Sequence, residues 1–193
     1  MSNKDSKDAV SFSANIFEWL EMIILSACVV LLTFTFLVRP ARVDGASMEN
    51  TLHHGELLLI SDVLFEPERG DILVFQKISA WAHPAPIVKR VIATEGETVD
   101  IDFESWTVTV TDKDGNVETL DESAYIKLAT DARVTSNLVY PVTLGKDEVF
   151  VMGDNRNHSL DSRDSRLGIV KEDEIIGKVL CRIFPFNKIG LFN

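Results

Sequence analysis

Trp106–Leu120 reads WTVTVTDKDGNVETL, and this stretch decides the fold class. Valine and threonine, both β-branched, fill Thr107–Thr111 and favour extended backbone. Asp114-Gly115 follows as a hairpin signal with a mechanism, since glycine supplies positive φ. Working outward, short β-type runs recur between turn signals. They are Glu56–Ser61 (ELLLIS), Asp71–Phe75 (DILVF), Ile87–Thr94 (IVKRVIAT), Val149–Met152 (VFVM) and Ile175–Phe184 (IIGKVLCRIF). No long helical periodicity appears beyond residue 38, and Glu122–Ala132 fits either a short helix or a loop. The body, residues 39–193, therefore reads as mostly antiparallel β. The apolar tail Ile183–Asn193 (IFPFNKIGLFN) reads as a last core strand, with a surface resting on lipid as the other reading. The Trp81 loop (ISAWAHPAP) admits the same two readings.

The front end differs in kind. Met22–Val38 (MIILSACVVLLTFTFLV) carries no charge, and the apolar stretch extends back across Glu21 and Glu18 to Ile16. At about 1.5 Å per residue, 16–38 reaches ~34 Å, enough to cross a hydrocarbon core of ~30 Å. Glu18, Glu21 and Trp19 then belong at the interface. A cleaved signal peptide has a shorter apolar region, and no small-x-small site precedes Arg39-Pro40. The expectation is one N-terminal transmembrane helix over 16–38 behind a short tail, 1–15. Lys4 and Lys7 on one side balance Arg39 and Arg42 on the other, so charge does not orient it.

Composition removes several classes of function. The 193 residues carry 30 acidic against 19 basic side chains, a net −11, which argues against nucleic acid as a partner. Mean hydropathy of +0.09 fits neither a disordered chain nor a multi-span transporter. Two cysteines, Cys28 and Cys181, make neither a disulfide framework nor a four-ligand zinc site.

Three segments carry chemistry. In Val43–Leu52 (VDGASMENTL), Ser47 follows Gly45 and Ala46, where the backbone turns sharply and other chains approach closely. In Ile87–Glu97 (IVKRVIATEGE), strand alternation puts Lys89 on one face with Ile87 and Val91. A lysine desolvated on an apolar face loses its proton more readily and becomes a general base; the alternative is an edge lysine reaching water. In Val149–Gly168 (VFVMGDNRNHSLDSRDSRLG), a strand runs into a loop dense in pairable groups, a braced loop more than a solvated one.

Together these segments resemble the bacterial type I signal peptidases, membrane-anchored serine–lysine proteases, of the short Gram-positive type. The resemblance covers nearly the whole chain in order. After the span come Gly45, Ser47, Met48, Thr51 and Leu52 as G-x-S-M-x-x-T-L, then Arg69, Gly70, Asp71 and Ile72 as R-G-D-I. Lys89, Arg90 and Val91 follow as K-R-V, and Gly153, Asp154, Asn155, Arg156, Ser159, Asp161, Ser162 and Arg163 as G-D-N-R-x-x-S-x-D-S-R. Asn50 departs from the proline usual there.

The resemblance implies a Ser47 nucleophile, a Lys89 general base and a Ser159 hydroxyl orienting the lysine nitrogen. It implies an oxyanion hole using the N–H of Ser47, with Gly45 at the position of the second donor. Asp161 with Arg163, and Asp154 with Arg156, would brace the site. Val43, Met48, Leu52, Ile87 and Val88 would line shallow pockets for a substrate strand lying between the segments around Val43 and Val88. The resemblance also implies cleavage after Ala-x-Ala sites in exported preproteins, no cofactor and no metal. It puts residues 39–193, with a small insertion around 101–147, outside the cell membrane and the N-terminus in the cytoplasm.

Other readings compete. His158 beside Ser159 is the best histidine for a triad, and no histidine spacing suits a metalloprotease. A soluble serine–lysine self-cleaving regulator conflicts with the span and the acidic charge. A membrane-tethered β module that only binds a partner is the non-enzymatic alternative.

Overall fold

The computed structural model describes residues 2–63, 65–77, 85–126 and 136–192. Helix α1 (Ser2–Phe36) is continuous, so backbone helix runs through the expected tail and stops two residues short of 38. Within it, Ile16–Thr35 has a mean hydropathy of 2.0 and turns large apolar side chains such as Phe17, Leu25 and Leu31 outward. An isolated helix with that surface is long and apolar enough to cross a membrane.

Residues 40–193 form a separate unit. Its strands are β1 (Arg39–Arg42), β2 (Leu57–Ser61), β3 (Ile72–Phe75), β4 (Ile87–Ala93), β5 (Thr98–Asp102) and β6 (Thr107–Thr111). They continue as β7 (Val117–Thr119), β8 (Val142–Thr143), β9 (Glu148–Met152), β10 (Val170–Lys171), β11 (Ile175–Phe184) and β12 (Gly190–Leu191). The larger sheet has the order β1-β2-β11-β3-β4-β9-β10, with β12 on β11; the smaller has the order β7-β6-β5-β8. Pairings with a described register are antiparallel. The mostly antiparallel β body with an N-terminal apolar helix is thus the architecture found.

Side-chain alternation explains how one sheet serves two cores. On β3, Ile72 and Val74 join Val43, Met48, Leu52 and Leu58, while Leu73 and Phe75 join Val91, Val149 and Val151 on the other face. On β9, Phe150 and Met152 pack against Val99, Ile101, Val108 and Val110 of the smaller sheet. That sheet is the insertion between β4 and β9, and the hairpin β6–β7 turns at Gly115 with φ +86°. Strand β5 (TVDID) went unread in the sequence, although its aspartates face solvent while Val99 and Ile101 are buried, the alternation of a half-buried strand.

The tail corrects its core-strand reading. Beyond Phe184 it folds back as β12 on β11, yet Phe186, Ile189 and Leu191 stand exposed. Among its described residues only Phe192, at its end, packs back against the cluster around Val43 and Leu58. Trp81 and residues 127–132 of the ambiguous Glu122–Ala132 segment lie outside the described residues; residues 122–126 form a turn.

Candidate active site

Strand β4 fixes the central lysine. Its neighbours β3 and β9 bury it on both edges, with Lys89 opposite Leu73, so the side chain has no open edge along which to reach water. Ile87 and Val91 pack into one apolar cluster, and Lys89 lies between them on the same strand face, 3% exposed. Burial pushes its ammonium down from the ordinary 10.5 to about 8. The Arg163 guanidinium pushes the same way, while Asp161 and Asp154 oppose.

Ser47 reaches this amine from a different part of the chain. Lys89 Nζ donates to Ser47 Oγ at 2.7 Å and to the Val88 carbonyl at 2.9 Å. The serine sits in a tight turn in which Thr51 N–H and Leu52 N–H both donate to Met48 O. Asn155 clamps the turn, its N–H donating to Ser47 O and its Nδ2 to Ala46 O. Gly153 makes the approach possible. A Cβ there would stand 2.2 Å from Ser159 Oγ and 2.4 Å from Ser47 O.

Ser159 therefore lies beside the pair, but its buried Oγ makes no hydrogen bond to Lys89 of ordinary geometry; its influence reaches Asp161, whose carboxyl it helps lower. Gly45 is exposed at φ +96°, and its N–H donates to His54 Nδ1 at 3.3 Å. Val43, Met48 and Leu52 are core residues, 4% exposed or less. Of the five expected pocket residues, only Ile87 and Val88 are half-buried and keep surface to offer.

The bracing pairs are partly rearranged. Asp161 and Arg163 pair as expected, Nε–Oδ1 and Nη2–Oδ2 both at 2.7 Å, and Asp161 also accepts Gly153 N–H at 3.0 Å. Burial raises the Asp161 carboxyl, but the Arg163 guanidinium outweighs it and holds the group below the usual carboxylate range. Asp154 does not pair with Arg156. It accepts from Arg90 at 2.9 and 2.8 Å and from the Thr51 hydroxyl. Arg156 instead bonds Glu122, with Nη1–Oε2 at 2.6 Å and a second, shorter contact. Their partners, Arg90 and Glu122, lie 64 and 34 residues away in the chain, which residue spacing cannot show.

The described histidines take other places. His158 is exposed, His53 lies against Glu56, and His54 accepts from the Gly45 N–H. Among the described residues, no group of three His, Cys, Asp or Glu side chains is arranged to hold a metal ion.

Comparison with known proteins agrees along the chain's length. The family described as "Signal peptidase, peptidase S26" matches residues 16–184. Signal peptidase I of Bacillus licheniformis is 34% identical over 178 residues, 91% of this chain and 92% of that protein. Signal peptidase I T of Bacillus subtilis (strain 168) is 34% identical over 175 residues, 89% of this chain and 87% of that one. Signal peptidase IB of Staphylococcus aureus (strain COL) is 30% identical over 188 residues, 90% of this chain and 92% of that one. With the match spanning both the apolar helix and the β body through β11, the chain belongs to the signal peptidase family, peptidase S26.

Proposed function

We propose that this protein is a membrane-anchored endopeptidase that removes signal peptides from exported preproteins, with Ser47 as nucleophile and neutral Lys89 as general base. The observation that carries the reading is the 2.7 Å contact between Ser47 Oγ and a lysine nitrogen buried among apolar residues. Once the ammonium has lost its proton, the contact reverses and Ser47 O–H donates to the Nζ lone pair. As Oγ attacks the scissile carbonyl, Nζ takes the hydroxyl proton and then hands it to the leaving amine. In the second half-reaction Nζ takes a proton from a water whose oxygen attacks the acyl-enzyme carbonyl, and returns that proton to Ser47 Oγ as the ester bond breaks. The Val88 carbonyl holds the amine in line throughout.

The oxyanion is assigned to the N–H of Ser47, since the Gly45 N–H is directed to His54. The half-buried Ile87 and Val88 at the start of β4 offer apolar surface to small residues before the cut, in keeping with Ala-x-Ala sites. The β body then works on the outer face of the membrane, where exported chains emerge.

Cleavage of a preprotein with an Ala-x-Ala site by detergent-solubilised protein tests this, scanned from about pH 6 to about pH 10. Activity should rise with pH through about 8 as Lys89 loses its proton. Ser47→Ala and Lys89→Ala should each lose about 1000-fold or more while staying folded. Retained cleavage by Lys89→Ala would move the base elsewhere, with His158 next in line. No cleavage by the unaltered protein would favour the tethered binding module.

A further inference from the structure

Between β7 and β8, residues 122–125 close a tight turn in which Tyr125 N–H donates to Glu122 O at 3.1 Å. The turn brings two side chains together: Tyr125 OH donates to Glu122 Oε1 at 2.9 Å. Neither belongs to the three segments that hold the candidate dyad, yet the pair contacts parts of all three. Glu122, 5% exposed, forks onto the Arg156 guanidinium. Arg156 Nε in turn donates to the carbonyl of Gly153, the residue packed against Ser47 and Ser159. The Tyr125 ring lies under Arg90, 4.1 Å from guanidinium carbon to ring centroid, next in the chain to Lys89. The Tyr125 carbonyl accepts from Asn50 Nδ2 at 3.4 Å, in the turn that presents Ser47.

We infer that Glu122 and Tyr125 are positioning residues, forming a strap that fixes the Ser47 turn, the Lys89 strand and the Gly153 turn relative to one another. This rests on the Ser47–Lys89 reading. Two opposed contacts explain why a strap is needed here. Asp154 holds Arg90 from one direction, and the Tyr125 ring holds it from another, so the strand beside Lys89 has little freedom to shift. Glu122 also supplies the charge that lets Arg156 stay buried at 2% exposure while bridging to Gly153. A displacement of about 1 Å between nucleophile and base is enough to cost ~100-fold in rate, so the strap acts on turnover and not on substrate affinity.

Full-length Glu122→Gln, Tyr125→Phe, Ser47→Ala and the surface control Glu118→Gln would be compared for kcat and KM on an Ala-x-Ala preprotein. Each would be assayed well below its own Tm. Glu122→Gln should lower kcat about 10- to 100-fold with KM within about twofold. Tyr125→Phe keeps the ring on Arg90 but loses the bond to Glu122, and should lower kcat about fivefold. Glu118 pairs only at the surface with Arg69, so its variant should match the unaltered protein. A lower Tm with kcat within twofold in both strap variants would reduce Glu122 and Tyr125 to fold stability and overturn the proposal. Should Glu122→Gln fail to fold, Tyr125→Phe decides alone, and unchanged kcat refutes the strap. Cleavage surviving in Ser47→Ala would instead overturn the dyad, and the strap with it.

Discussion

Lys89 shows how a single residue trades stability for chemistry. Its folded pKa of about 8 lies below the ordinary 10.5, so the native state releases a proton that the unfolded chain keeps. The penalty is fully present below about pH 8 and is relieved as pH rises toward 10.5. Lys89→Met should therefore abolish cleavage yet stabilise the fold by about 3 kcal/mol near pH 7, with the gain shrinking above pH 8. Denaturant unfolding at pH 7 and pH 10 reads this directly, and an equal gain at both would exclude a depressed lysine. Asn50 raises a different question, because its φ of +90° is one that proline cannot adopt. A proline at this position would have to reshape the turn. Asn50→Pro should destabilise the protein by more than about 1 kcal/mol in chemical denaturation, and a neutral result would mean the turn relaxes freely. Taken alone, Ser47 beside glycine and Lys89 on an apolar strand face also read as a loop residue and an edge lysine; their place in an ordered series of motifs, through the family resemblance, singled them out. Glu122 and Tyr125 carry no such pattern, and Arg90 appeared only as a motif letter beside the lysine.

Among elements, β11 joins what the chain order separates. Its first half pairs with β3 and its second half with β2, with register shifts within each pairing. Gly177 is needed there, since a Cβ would stand 2.8 Å from the Ser61 carbonyl. The run IIGKVLCRIF identified this strand over its full length, but no run shows which neighbours a strand will choose. The strand's extension into β12 leaves Phe186, Ile189 and Leu191 at 79%, 62% and 78% exposure. Exposed side chains add little to folding, so replacing all three by serine should shift unfolding free energy by less than about 0.5 kcal/mol per site. Val179→Ser on the same hairpin, at 0% exposure, should cost several-fold more, about 2–3 kcal/mol. Equal costs in a thermal melt would place the tail inside a core after all.

At the scale of the molecule, helix α1 and residues 40–193 are separate units. The β body holds three apolar clusters of its own, so residues 39–193 alone should unfold in one cooperative step and keep the rise in activity through about pH 8. Broad, multi-step melting of that fragment would show that the helix is needed for the fold. The sequence by itself determined the apolar span, the β character of the body and the three segments bearing Ser47, Lys89 and Asp161–Arg163. These follow from properties local to a dozen residues: hydropathy, β-branching, turn chemistry and the alternation of a strand. Only the tertiary structure decided that Asp154 meets Arg90, that Arg156 meets Glu122, that Met48 and Leu52 are core, and that the tail lies exposed. Those outcomes depend on which strands pair and which way each turn points. Contacts between residues tens of positions apart set both, and no local pattern encodes them.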